Sequence, residues 1–439
     1  MIHDGLATEA MSCLTEGTFL IALALQLGAS NFQIGLLGAL PTFTNIFQLS
    51  AIWLVQRLKS RRIVTVVCLA VARAPLFVVG VVPFWLPADI ALNVITGLMF
   101  VHYLFGSVAG ASWNSWAKDL VPGKKMGRYF SERTRLTQTL NVALSLSLAF
   151  ATSYVGEHYP ELTPAVFPFL FILGGLAGMI SVVALYRAPE PRMSTIDTNF
   201  SKMFVKVASD KNFRKLLSFN SFWVFALNLV APFFSVYMMK TLGIEVPVIL
   251  FLSVLGQVCG IFFVKLWGRN ADRYGNKTII GICIPIYIIC LLAWIGAGSF
   301  IGSFWLWPAL GCIHILSNIA TAGINLSLTN IGLKLSPSGG AIAYLAAKNM
   351  FTSIFSASAP LVAGMIADSI SLYEIRWSIF HLKGFGFFFL SAAIFATFSL
   401  YLLRRVTEKG AGKRSAVLRR IIRVPILQKE SFELKRKSA

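Results

Sequence analysis

Apolar runs of membrane length recur along the whole chain, parted by short polar or charged breaks. They fall near residues 5–28, 32–56, 63–86, 89–117, 129–155, 165–186, 213–240, 246–267, 278–298, 303–333, 341–368 and 379–403. An α-helix needs about 20 residues to cross the hydrocarbon core of a bilayer. Each run therefore reads as one spanning helix, and the pattern predicts an all-α polytopic membrane protein with 12 transmembrane helices. The most compact break is the segment 268–277, GRNADRYGNK, which the pattern predicts as a tight loop between spans 8 and 9.

The pattern also repeats. Adding 215 to a position carries Leu27 and Gly28 onto Leu242 and Gly243, Arg62 onto Lys277, and Leu120, Pro122, Tyr129 and Arg133 onto Leu335, Pro337, Tyr344 and Lys348. One constant offset serves every pair, each at the same place in its half. Chance among helices of similar composition is the competing explanation. A duplication gives an N-terminal six-helix half at 1–187, a cytoplasmic linker at 188–212 containing Pro189 and Pro191, a C-terminal six-helix half at 213–405 and a basic cytoplasmic tail at 406–439.

Composition agrees with the membrane assignment. The chain of 439 residues is 56% hydrophobic and 13% charged, against about 25% charged in soluble domains, and its mean hydropathy is +0.72. A net charge of +21 raises the question of a nucleic-acid partner, and the placement of the charges answers it. Arg57, Lys59, Arg61, Arg62, Lys118, Lys124, Lys125 and Arg128 crowd the even-numbered loops, while Asp89, Glu157, Glu161, Glu245 and Glu374 lie in the odd ones. By the positive-inside rule both termini are cytoplasmic in a cell membrane, and the surplus charge serves insertion and anionic lipid headgroups rather than nucleic acid. The basic tail is expected on the membrane face or disordered. The N-terminus MIHDGLATEA lacks the basic region of a cleavable signal peptide. The six cysteines lie in apolar runs without a CxxC, so neither a disulfide framework nor a metal site is indicated.

The succession Gly268, Asp272, Arg273, Gly275 and Lys277 resembles the loop signature of the major facilitator superfamily of secondary transporters, with one departure, Asn276 where a second basic residue is usual. Duplicated six-span halves of like orientation are the parallel repeat of that superfamily. The resemblance implies a gating role for this loop, in which Asp272 meets the N-terminus of span 11 at Ser338, Gly339 and Gly340 in one cavity opening and leaves it in the other. The first-half counterpart, Gln56 to Lys59, lacks the acid. The resemblance further implies that spans 1, 4, 7 and 10 line a central cavity.

Those spans carry polar stripes. Span 1 aligns Glu9, Ser12 and Glu16, span 4 aligns His102, Gly106, Gly110 and Asn114, and span 7 offers Ser221, Asn228, Pro232 and Ser235. Span 10 has the longest stripe, His314, Asn318, Thr321, Asn325 and Thr329, and Lys348 stands on span 11 with Tyr344, Thr352 and Ser356. Polar groups are costly against lipid, so each stripe marks either a watery cavity or interhelical hydrogen bonding. The substrate and proton cavity is accordingly expected at Glu16, His102, Asn114, Asn228, His314, Asn318, Asn325 and Lys348. Glu16 is neutralised by protonation or paired with Arg73 or His102. His102 precedes Gly106 at the spacing of the superfamily's fourth-span Arg–Gly motif, with a titratable His in place of Arg. A substrate-anion contact from Arg133 or Lys348 is a further option.

No HExxH, GxSxG, P-loop or paired acidic cluster appears, so the chain is not read as an enzyme and no cofactor is expected. The expected function is secondary transport of a small polar solute by alternating access with proton coupling, in a monomer whose partners are solute, protons and membrane lipids. Multidrug efflux by proton antiport is the alternative. The fifth span from Leu140 to Val155 has no proline, and thus lacks the GP motif usual in drug antiporters of the superfamily.

Overall fold

The computed structural model describes residues 2–120, 126–190, 207, 209–336, 341–370, 374–377, 380–408, 410 and 412. Span 1 is α1 (Ile2–Thr15) with α2 (Thr18–Gln26), and span 2 is α3 (Asn31–Phe43), a 3₁₀ stretch (Thr44–Leu49) and α4 (Ser50–Leu58). Spans 3 to 6 are α5 (Arg61–Trp85), α6 (Ala88–Leu120), α7 (Met126–His158) and α8 (Thr163–Tyr186). Spans 7 to 12 are α9 (Lys211–Val236), α10 (Val246–Tyr274), α11 (Asn276–Ala297), α12 (Leu306–Leu335), α13 (Ala341–Ile370) and α14 (Gly386–Arg405). A two-stranded antiparallel hairpin, β1 (Glu374–Trp377) on β2 (Phe380–Lys383), lies between the last two spans.

Among the described residues, eleven helical stretches are long and apolar enough to cross a bilayer. The twelfth expected span, at 32–56, is helical but interrupted. Pro41 has no N–H to give the ladder, and the Thr44 hydroxyl turns back onto the Leu40 carbonyl at 2.9 Å, so the following turns tighten to 3₁₀. Span 1 is broken as well, at Glu16 and Gly17. Gly17 has φ +58°, a conformation a Cβ disfavours.

The expected tight loop at 268–277 is a correction. Span 8 continues as helix through Tyr274, and a single residue, Gly275 with φ +86°, separates it from span 9. Charged residues do not end the helix here, because an α-helix that emerges from the bilayer tolerates them readily. Only the positive φ forces the break.

Packing repeats between the halves. Span 3 lies on spans 4 and 6 as span 9 lies on spans 10 and 12, and span 1 packs on span 6 as span 7 packs on span 12. The ends repeat too. After span 6, Glu190 accepts from the Ser60 hydroxyl at 2.8 Å and the Arg62 N–H at 3.1 Å, at the start of span 3. After span 12, Glu408 accepts from the N–H groups of Asn276 (3.1 Å) and Lys277 (2.7 Å), at the start of span 9, and from Lys334 Nζ at 3.1 Å. Each carboxylate meets the positive end of a helix dipole. Lys277 in turn donates to the Arg404 and Val406 carbonyls at the end of span 12.

The halves meet chiefly through span 2 on span 11 and span 5 on span 8, with further contacts of α2 on spans 7 and 8. Glycines set the closest approach. A Cβ on Gly35 would overlap the Pro360 carbonyl oxygen, and one on Gly364 would stand 2.8 Å from the Asn31 carbonyl oxygen. These residues lie at the start of span 2 and the latter part of span 11, the end of the bundle remote from Ile2 and Arg405. Lysine and arginine contacts gather at the opposite end.

Burial raises the Glu408 carboxyl, but the bonds from Lys277, Lys334 and Asn276 outweigh it and hold its pKa below the ordinary value. A carboxyl depressed in the fold stabilises above its unfolded pKa, about 4.3, and that contribution is lost as pH falls through the folded value. Glu408→Gln is expected to cost ~1–3 kcal/mol at neutral pH. Its Tm deficit against the parent protein should shrink below about pH 4, and a deficit that persists undiminished there would contradict the capping account.

Candidate functional site

A cavity of about 380 Å³ opens in the N-terminal half, walled by spans 1 to 5. Its position follows from the two interruptions described above. The break in span 1 puts Glu16 on its wall, and the 3₁₀ stretch of span 2 adds Asn45 and Gln48, joined by a 2.9 Å bond from Gln48 Nε2 to Asn45 Oδ1. Irregular backbone at membrane depth is tolerated where it lines a cavity.

His102 faces Glu16. Its Nδ1 is 2.7 Å from the Ala72 carbonyl oxygen, which can only accept, so Nδ1 carries the hydrogen. Nε2 thereby faces Glu16, 3.8 Å from Oε1. His102 is 3% exposed and Glu16 is 36% exposed by side chain, so one partner is sealed and the other reaches the cavity. The Tyr103 ring stands edge-on to His102, centroids 5.1 Å apart.

Two guanidiniums complete the wall. Arg73, on span 3, is buried and donates to the Thr8 hydroxyl at a long 3.4 Å. Its stem occupies the space a side chain would take at Gly178, where a Cβ would come within 2.7 Å of Arg73 Cδ. Arg133, on span 5, pairs with buried Asp4 at 3.6 Å and lies over the Trp113 ring at 4.6 Å. Gly5 makes room for it, since a Cβ there would stand 2.7 Å from Arg133 Nε. Asp4 also accepts from the Ser181 hydroxyl at 2.7 Å, and Glu9 is held by Asn141 at 2.8 Å.

Of the residues expected at a cavity, Glu16, His102 and Asn114 share this one. The others lie in the second half. Asn228 Nδ2 donates to the Val224 carbonyl of its own helix at 2.8 Å. His314 stands edge-on to Trp294 at 5.6 Å, and Asn318, which donates to the His314 carbonyl at 2.9 Å, presses on Gly256 where spans 8 and 10 cross. Asn325 is exposed, and buried Lys348 donates to the Leu328 carbonyl across to span 10 at 3.3 Å.

In the expected gating segment, Asp272 and Arg273 are exposed, Arg273 lies over Tyr274 at 5.4 Å, and a Cβ on Gly268 would stand 3.6 Å from Leu326 Cδ2. Ser338, Gly339 and Gly340, the expected partners of Asp272, lie outside the described residues. Asp4, Asn45 and Gln48 were missed from the sequence. The spacing of three between Asn45 and Gln48 inside an apolar run was the available signal. Asp4 gave none, because it precedes the apolar run and reads as an ordinary terminal acid.

The family model for the Major Facilitator Superfamily matches residues 6–347. None of the curated proteins compared with the chain matches it. Among solved structures, the nucleoside transporter NupG is similar over 92% of this chain and 98% of its own, at TM-score 0.66 and 13% identity. A D-xylose-proton symporter is similar over 94% of this chain and 97% of its own, at TM-score 0.67 and 15% identity. The xylose transporter XylE from E. coli, in an inward open conformation, covers 94% and 96% at TM-score 0.66 and 11% identity. At these identities the likeness is one of fold.

Gly178→Leu should drive the Arg73 stem from its slot, at a cost of ~1–3 kcal/mol from overpacking. The expected readout is a Tm lowered by several degrees in detergent, and a parental Tm would mean that Arg73 is not fixed by this contact.

Proposed function

Because the chain belongs to the major facilitator superfamily, we propose that this membrane transporter moves a small polar solute across the cell membrane by alternating access, coupled to protons through Glu16 and His102. The chain is a transporter rather than an enzyme, and it crosses the membrane many times. The observation that carries the proton coupling is the His102–Glu16 pair: Nδ1 is committed to the Ala72 carbonyl, leaving Nε2 facing the Glu16 carboxylate at 3.8 Å, an ion pair whenever the imidazole is protonated, at the wall of a cavity.

Physically, coupling requires a titratable group whose surroundings differ between the two openings. Glu16 meets that requirement. It sits on two residues of unwound chain, between α1, which packs on spans 5 and 6, and α2, which also touches spans 7 and 8 of the other half. Movement of one half against the other therefore bends span 1 at Glu16. With both termini cytoplasmic, contact at the remote end through Gly35 and Gly364 corresponds to closure towards the outside, and the cavity faces inward. The charged and amide lining of a cavity of about 380 Å³ favours a small polar solute over a lipophilic one.

Alternating access also needs a contact that breaks. The helix ends tied by Glu190 and Glu408 hold each half together while the surface between halves changes.

A thermal-shift screen of polar metabolites and lipophilic cations selects the solute, and proteoliposomes then test coupling. Glu16→Gln is expected to lose accumulation driven by a pH gradient while keeping solute exchange at equal pH. Accumulation that survives in the variant would remove Glu16 from the proton path, and stabilisation by lipophilic cations alone would turn the proposal towards efflux.

A further inference from the structure

We propose that the solute is an anion, a small molecule bearing a carboxylate or phosphate, and that it binds together with the proton held by Glu16 and His102. This rests on the transport reading above and narrows it to a substrate class.

The donors and acceptors of the cavity do not balance. Arg73 and Arg133 both line it, and a guanidinium carries N–H donors on every nitrogen with no acceptor. Arg73, 4% exposed, makes the long bond to Thr8, and its Nε has no partner among the described residues. Arg133 Nε likewise has none, and its one acid stands at 3.6 Å. The acceptors within reach are few and partly committed: Asp4 Oδ1 accepts from Ser181 at 2.7 Å, its Oδ2 faces Arg133 at 3.6 Å, Thr8 donates to Ser181 at 3.0 Å while taking the long Arg73 bond, and Glu16 faces His102. Buried donors left without acceptors are costly, and a ligand oxyanion is the group that supplies several at once. A cationic solute would have to displace Arg133 from Asp4 or His102 from Glu16, the two carboxylates of the lining, and would leave the guanidinium donors unmet.

The proton fits the same balance. The charged and titratable groups around Glu16 are Asp4 and Glu9 on span 1, Arg73 on span 3, His102 and Tyr103 on span 4 and Arg133 on span 5. Glu9 is turned to Asn141 at 2.8 Å. One proton on the Glu16–His102 pair makes the cavity more positive by one unit, whichever partner holds it. That favours an anion, and by linkage the bound anion favours the proton to the same degree. Asp4 acts as the internal competitor, holding Arg133 when no solute is present.

The test is ligand binding by thermal shift and calorimetry on the full chain in detergent. Probes are inorganic phosphate, glycerol phosphate, short mono- and dicarboxylates, xylose, a nucleoside and choline, each at pH 5.5 and pH 8. One or more anions should bind, at least about threefold tighter at pH 5.5. Asp4→Asn, which frees Arg133 and keeps an acceptor for Ser181, should tighten the anion several-fold. Arg133→Gln should weaken it about tenfold or more, and Arg133→Lys should restore part of the loss. If Arg133→Gln does not fold, the gain in Asp4→Asn decides. Binding of xylose, the nucleoside or choline with no response to either variant would overturn the anion proposal while leaving transport intact. Silence of every anion on both the parent protein and Asp4→Asn would also overturn it. Failure of the transport reading itself shows separately, as absent solute flux in proteoliposomes.

Discussion

Two guanidiniums, Arg73 buried and Arg133 half-buried, set the terms for the N-terminal half. A cation at the centre of a bilayer costs about 2.5–3.5 kcal/mol even on the lenient insertion scale; Arg73 stands midway along span 3, and Arg133 lies in the first turns of span 5 opposite Asp4 at the start of span 1. Their stems need room, which Gly178 and Gly5 leave, and their charge needs partners, which Asp4, Glu16 and the Trp113 face supply in part. Spans 1, 3, 4, 5 and 6 converge for this reason. The convergence is loose enough to leave a cavity, and the partners are too few to saturate the donors.

Elsewhere the same fold solves the opposite problem, keeping each half stiff. Glu190 and Glu408 follow the last helix of their halves and accept from the first N–H groups of spans 3 and 9. A carboxylate there satisfies orphan donors and faces the positive end of the helix dipole. Each half thereby ties its last span to its third. What can change is the surface between halves, where Gly35 and Gly364 let spans 2 and 11 touch backbone to backbone. Around that backbone contact, Ile34 and Leu37 of span 2 and Ala359 and Ala363 of span 11 are buried in one apolar cluster.

The two halves have diverged in their interiors while keeping their frame. Arg133 faces a cavity with an acid and an indole beside it, while Lys348, 215 residues later, is buried against a backbone carbonyl. His102 meets Glu16 at the cavity wall, whereas His314 is packed on Trp294. The polar cavity thus lies in one half, while His314 and Lys348 of the other are packed against their neighbours.

The sequence by itself determined the membrane class, the twelve spans, the duplication and the polarity of most helix faces, because bilayer length and helical period are local properties read from a single stretch. It could also single out Glu16 and His102, since ionisable groups in apolar runs are rare. Only the tertiary structure decided which stripes share a cavity. The stripes of spans 1 and 4 face one another, while that of span 10 is divided between the crossing with span 8 at Gly256 and an exposed face, and the helical period is the same in either case. Asp4 and the Asn45–Gln48 pair became visible only there too. Their meaning depends on a salt bridge across 129 positions and on a change of helix type at Thr44, and neither is encoded in the residues nearby.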